Sequence, residues 1–210
     1  MIKLDTSWLQ HVQKPARYTG GELNSVVKNH KDVDVTIAMS LPDVYEVSMS
    51  HLGIRILYGL INEREDAYAE RVFAPWIDME EEMRKRHIPL FSLETRTPIK
   101  DFDMLGVSLQ YEMSYTNILN MLDLAGMPIW SKDRDLDMPL VIAGGPCAYN
   151  VEPIAEFLDV VTLGESEEWF HEFIDCYKAE KKAGFPGGKE GLLRKLSQIP
   201  GTYCPALYDI

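Results

Sequence analysis

Cysteine is scarce in this chain. Cys147, Cys176 and Cys204 are the three among 210 residues, far apart, with no C-x-x-C pair and no metal-finger spacing. An odd, scattered set makes a poor disulfide framework and points to a reducing, cytoplasmic setting. Positive charge is also short. Lys and Arg number 21 against 33 Asp and Glu, a formal net charge of −12. That balance argues against nucleic acid and anionic membrane surfaces, which both call for basic patches. Its plainer meaning is solubility. No stretch approaches the roughly 20 apolar residues that cross a bilayer. The opening Met1-Ile-Lys-Leu-Asp-Thr-Ser-Trp8 has no apolar signal core.

Several ligand motifs are missing as well. The chain's Gly188-Lys189 is followed by Glu190, so there is no P-loop ending. No G-x-G-x-x-G follows any strand candidate. A phosphoacceptor receiver would carry acidic residues where Ser40-Leu41 and Ser108-Leu109 stand. The nearest approach to a nucleophile elbow, Gly164-Glu-Ser-Glu167, lacks its second glycine.

What is present is a regular alternation of strands and helices. Residues 34–39, 71–75, 103–109, 140–143 and 159–163 read as strands, with a further edge strand at 89–93. Between them, 51–63, 78–87 and the segment after Ser114 or Thr116 read as helices. The helix over 51–63 carries a wide stripe of Ile54, Leu57 and Ile61 flanked by Leu52, Ile56 and Leu60. Pro153 opens a short helix, and Ser166 caps a long one that buries Phe170, Phe173, Ile174 and Tyr177. Strands apolar on both faces are parallel strands covered by helices. The expected fold is therefore α/β: a Rossmann-like or flavodoxin-like three-layer sandwich with a parallel sheet of about five strands. Residues 1–30 read as an N-terminal extension with helical spacing at Leu4, Trp8, Leu9 and Val12. Residues 31–184 form the domain. Residues 185–210 read as a linker with a short helix near 190–198, ending in an apolar segment that suits either a strand leading to a further domain or a docked C-terminal strand.

Open α/β sheets bind ligands at the carboxyl ends of their strands. The strand-end loops 40–53, 108–116, 144–150 and 164–166 are polar, aromatic and glycine-bearing, which suits a large ligand held mainly by backbone and shape.

The succession Ser108-Leu-Gln-Tyr111, Gly144-Gly-Pro146 and Gly164-Glu-Ser-Glu167 resembles the cobalamin-binding-type domain that precedes many radical S-adenosylmethionine (SAM) enzymes. The flanking phrases Pro15-Ala-Arg-Tyr-Thr-Gly-Gly-Glu-Leu-Asn-Ser25, Pro42-Asp-Val-Tyr-Glu-Val-Ser-Met-Ser-His-Leu-Gly53 and Arg71-Val-Phe-Ala-Pro-Trp76 are similar to an uncharacterised bacterial subfamily with this architecture. The resemblance runs from about Lys14 to the end. It implies cobalamin as cofactor and a C-terminal radical SAM domain of the same polypeptide as partner. The [4Fe–4S] cluster and S-adenosylmethionine belong to that other domain, because this chain has no C-x3-C-x2-C run. The cobalt-ligating Asp-x-His-x-x-Gly motif is broken: Met49 stands where Asp is needed, two residues before His51. The expected mode therefore has no histidine on cobalt. The rival expectation is a docking module that binds no cobalamin.

The candidate cofactor-binding residues are Asp43, His51, Ser108, Leu109, Gln110, Tyr111, Gly144, Gly145, Pro146, Gly164 and Glu165. Each has a plain structural explanation beside the functional one. His51 suits a helix N-terminus that packs or caps. Asp43 suits a solvated loop. Ser108 suits a hydroxyl bonded to nearby backbone. Gly144 and Gly145 serve a turn, and Glu165 a helix start. No catalytic residue and no metal ligand is assigned.

Overall fold

The computed structural model describes residues 6–208. Six strands form one sheet in the order β2-β1-β3-β4-β5-β6. They are β1 (Val35–Leu41), β2 (Ala67–Phe73), β3 (Met104–Ser108), β4 (Leu140–Gly144), β5 (Val160–Thr162) and β6 (Thr202–Tyr203). The first five are parallel; β6 runs antiparallel to β5. Residues of β1, β3, β4 and β5 are aligned in one row, with Met39 beside Gly106, Gly106 beside Ile142, and Ile142 beside Val160.

Helices cover both faces, as strands buried on both sides demand. Right-handed crossovers decide which face. On one face lie α2 (Leu52–Glu63), α5 (Ser166–Lys182) and α6 (Gly188–Leu196), packed on Ile37, Met104 and Val160. On the other lie α3 (Ile77–Arg86) and α4 (Tyr115–Leu124), packed on Ala38, Leu105 and Val161. A short helix α1 (Tyr45–Ser50) leads into α2. This is the α/β three-layer sandwich expected from the alternation.

Several local expectations are corrected. β2 begins four residues earlier than 71, because Glu70 and Arg71 hide it. Both are buried, and charged residues break an apolar strand pattern. Glu70 is held by His30 at 2.5 Å and by Thr95, while Arg71 pairs with Glu94 at 2.6 Å and lies over the Tyr58 ring. Residues 89–93 make a single bridge, Phe91 to Pro98, in place of a strand. The buried stripe of α2 is Ile54, Tyr58 and Ile61, whereas Leu52 and Ile56 face outward. The Ser114 hydroxyl donates to the Tyr111 carbonyl at 2.7 Å and does not cap α4. Ser166 is the first residue of α5 and Glu165 its N-cap, with no side-chain cap bond. The Pro153 helix is a 3-10 segment, Glu152–Phe157.

Segments near both ends of the described residues pack on the domain. Leu192, Leu193, Leu196 and Cys204 are buried in the α2/α5 face, although 185–210 reads as a linker. Trp8, Leu9 and Val12 are buried on the opposite face, from a 3-10 segment Thr6–His11. Leu4 of the expected N-terminal helix, and residues 209–210 of the apolar end, lie outside the described residues.

Candidate functional site

The strand order reverses between β1 and β3, since β1 connects outward to β2 while β3 to β5 step the other way. A crevice opens at the carboxyl ends of strands where such a reversal occurs. Here it is a cavity of about 190 Å³. Its floor is the aligned row Met39, Gly106 and Ile142, extended by Gly144 and Thr162. Ile54 and Leu57 of α2 and Trp169 and Phe170 of α5 close it from above.

Glycine in a strand interior marks a close approach, and Gly106 shows why. A Cβ there would stand 3.1 Å from Met39 Sδ and 3.7 Å from Ile142 Cγ1, so Gly106 keeps the floor low between two long neighbours. At Gly145 the reason is backbone. Its φ is 112°, and a Cβ would stand 2.9 Å from the Leu109 carbonyl oxygen. That oxygen accepts from the Cys147 N–H at 3.0 Å, and the Leu109 N–H donates to the Gly144 carbonyl at 2.6 Å. The two strand-end turns are thus locked together beside the cavity mouth.

Of the residues singled out in sequence, His51, Ser108, Gln110, Gly144, Gly145, Gly164 and Glu165 line the cavity. The Gln110 amide donates to Ser108 Oγ at 2.8 Å, tying down the mouth. Asp43 and Tyr111 line an adjoining open hollow that shares His51, Gly53 and Gln110 with the cavity. Asp43 accepts from the Val44 N–H at 2.7 Å, which shapes the loop entering α1. Leu109 is fully buried and acts through its backbone, and Pro146 is exposed at the start of a 3-10 turn. Neither lines the cavity or the hollow.

Sequence reading passed over Met39, Gly106, Ile54, Leu57, Thr162 and Trp169 as site residues. Two left a trace: Gly106 interrupts an apolar strand, and Thr162 puts a hydroxyl at the end of another.

His51 caps α2. Its Nδ1 accepts from the Ile54 N–H at 3.3 Å. A backbone N–H only donates, so Nδ1 carries the lone pair and, in the neutral ring, Nε2 carries the proton. Neither the cavity nor the hollow has a Lys or Arg in its wall, and Glu165 and Glu167 stand at the rim. The walls therefore offer apolar surface, hydroxyls, an amide, the His51 ring, carboxylates and backbone, and no Lys or Arg for a bare phosphate. Among the described residues no three His, Cys, Asp or Glu side chains converge to hold a metal. Cys147 lies on one face of the sheet and Cys204 on the other. Burial raises both thiols, Cys204 to about 12.

No helix among the described residues is long and apolar enough to cross a membrane. The sequence is similar to an uncharacterised protein of Methanocaldococcus jannaschii, 28% identical over 134 residues. That alignment covers 62% of this chain and 24% of the relative, so the chain spans about a quarter of that protein's length. The family described as radical SAM proteins, N-terminal, matches residues 53–205, which take in both α6 and β6. The chain belongs to this N-terminal family of radical SAM proteins.

Proposed function

We propose that this chain is the corrinoid-holding module of a radical SAM protein. The observation that carries the reading is the apolar, glycine-floored cavity at the strand-order reversal, open at its mouth to a second hollow. At about 190 Å³ it is smaller than the roughly 300–1,000 Å³ of sites that enclose a drug-sized ligand. It admits one ring system and leaves a macrocycle outside. A corrinoid has that shape: a tail ending in a single heteroaromatic base and a broad corrin. In this reading the base enters between the Ser108 and Gly144-Gly145 strand ends, and the corrin rests on loops 40–53 and 108–116.

The residues fit the group in this mode and do not fit a histidine on cobalt. The lone pair of His51 Nδ1 is engaged at the helix end. A metal-bound imidazole also needs an acceptor to fix its tautomer, and Met49 offers only a weakly accepting thioether, which takes a hydrogen bond from the Arg71 guanidinium at 3.3 Å. Bound, the corrinoid supplies carbon–cobalt chemistry, and the protein supplies placement. Gly145 and Leu109 set the turn, Gln110 and Ser108 the mouth, and Trp169 and Phe170 the apolar wall that excludes water. The iron–sulfur cluster and S-adenosylmethionine are assigned to another domain of the same polypeptide, in the cytoplasm.

A docking role is the second reading, favoured by a rim of exposed apolar residues, Leu52, Tyr111, Met113 and Tyr149, around the same edge. Incubation with hydroxocobalamin followed by gel filtration separates the two. Corrinoid absorbance should elute with the protein at one equivalent. Its complete loss to the small-molecule fraction overturns the corrinoid reading and leaves the docking one.

A further inference from the structure

A larger hollow, of about 610 Å³, lies at the opposite edge of the sheet from the cavity. Its walls come from residues 130–135 before β4, residues 155–158 before β5 and the segment Pro205–Tyr208 after β6. β4 and β5 are parallel and β6 is antiparallel to β5, so all three pieces meet where the parallel strands begin. α6 closes the side with Lys189, Glu190 and Leu193.

The walls are fixed and partly apolar. Lys189 Nζ donates to the Ser131 and Arg134 carbonyls at 2.5 and 2.7 Å and pairs with Asp159 at 2.8 Å, which ties α6 to the loop across from it. Leu158 and Leu193 are buried where they line the hollow. Trp130 packs on Phe157 with ring centroids 4.7 Å apart and is still 40% exposed. Tyr208 packs on Tyr203 and is still 58% exposed. Tryptophan and tyrosine are the side chains that most often anchor an interface, and walls set in advance lower the cost of filling them.

The course of the chain indicates what fills the hollow. Cys204 and Pro205 are buried, a 3-10 turn Pro205–Leu207 follows, and Tyr208 emerges with extended backbone, at φ −121° and ψ 138°. That turn is itself one wall, so polypeptide continuing from Tyr208 starts at the rim. The matching family is N-terminal in radical SAM proteins, and the archaeal alignment covers 24% of the relative.

We propose that this hollow seats the stretch of the same polypeptide that continues past Tyr208, an extended apolar segment opening with Asp209-Ile210. Seated there, the segment fixes where the next domain departs. That point is at the amino edge of the sheet, and the cavity opens at the carboxyl edge. A domain that works at the cavity is therefore reached by a run of chain along the sheet, about 17 Å for a strand as long as β4.

Hydrogen exchange tests the proposal on the polypeptide that carries its own sequence beyond Ile210, beside residues 1–210. Amides of α6 and of residues 131–135 should exchange at least about tenfold more slowly in the longer protein, and those of α3, on the other face, within about twofold. Ala206 is exposed on the wall of the hollow, so Ala206→Glu spares the fold and puts a charge where the segment lies. In the longer protein this variant should return α6 exchange to that of the shorter chain and leave α3 unchanged. Equal exchange in the two proteins overturns the proposal, as does slowing of equal size in α3, which is general stabilisation. Slowing within residues 1–210 alone that grows with protein concentration makes a second copy the occupant and overturns it too. None of these outcomes depends on corrinoid binding.

Discussion

Gly145 and Leu109 meet backbone against backbone. The space a Gly145 side chain would need lies 2.9 Å from the Leu109 carbonyl oxygen, at a φ of 112°. The turn after β4 is therefore built on the turn after β3, and the cavity mouth inherits its shape from that contact. Gly164, at a φ of 107°, has nothing within 4 Å of a Cβ. Two glycines with nearly the same backbone thus differ in their surroundings.

Alanine separates the two effects. Gly164→Ala should cost only the backbone strain, about 1–3 kcal/mol. Gly145→Ala should cost more, because the Leu109 carbonyl must also move. Urea unfolding of both variants checks the order; equal costs would mean that the close approach does not matter.

His51→Ala removes the side-chain acceptor at the start of α2, and loss of such a cap costs about 0.5–2 kcal/mol. Corrinoid affinity should stay within about threefold, under 1 kcal/mol, because the ring is committed to the helix. Electron paramagnetic resonance of the cob(II)alamin complex gives a second check. Nitrogen splitting that disappears in His51→Ala would restore a histidine on cobalt.

Asp159 is fully buried before β5 and gathers four donors: Ser131 Oγ at 2.5 Å, Arg134 at 3.0 Å, Lys189 at 2.8 Å and the Val141 N–H at 2.7 Å. Lys189 belongs to α6, so the same carboxylate ties the C-terminal segment to the sheet. Asp159→Ala leaves Arg134 buried and unpaired, which should cost about 3–5 kcal/mol. Denaturant midpoints measure the loss. Protection of α6 amides from hydrogen exchange should fall more than that of α3 amides.

Acid sensitivity should be traceable to Asp66. Hydrogen bonds from Arg64 and then Lys178 hold its carboxyl well below the usual range, against the opposing effect of burial. Because the folded value is the lower one, its stabilisation is complete above the unfolded value of about 4 and is lost as pH falls through the folded value. The difference in unfolding free energy between wild type and Asp66→Asn should be constant from about pH 8 to 5 and shrink below about pH 4. A difference that grows on acidification would contradict the assignment.

Much of the fold was legible because its signals are local. Apolar runs ending at glycine marked β4 and β5, the apolar run after Asp103 marked β3, and helical stripes marked α4 and α5. The edge strand β2 was blurred by Glu70 and Arg71, whose partners His30, Thr95 and Glu94 are 23 to 40 residues away. The C-terminal segment read as a linker because the faces that receive Leu192, Leu196 and Cys204 are not written near it.

The same division holds at the site. The sequence by itself determined a parallel sheet, the glycine turns at 144–145 and 164, and the strand-end loops that meet at one edge. It did so because side-chain period and turn chemistry are properties of neighbouring residues. Only the tertiary structure decided that Met39, Gly106, Ile142 and Thr162 form one floor and that Trp169 closes it. Those residues span four strands, and strand order and register alone bring them together. Register is set by how whole strands and helices pack, so the partner of a given residue is not encoded beside it.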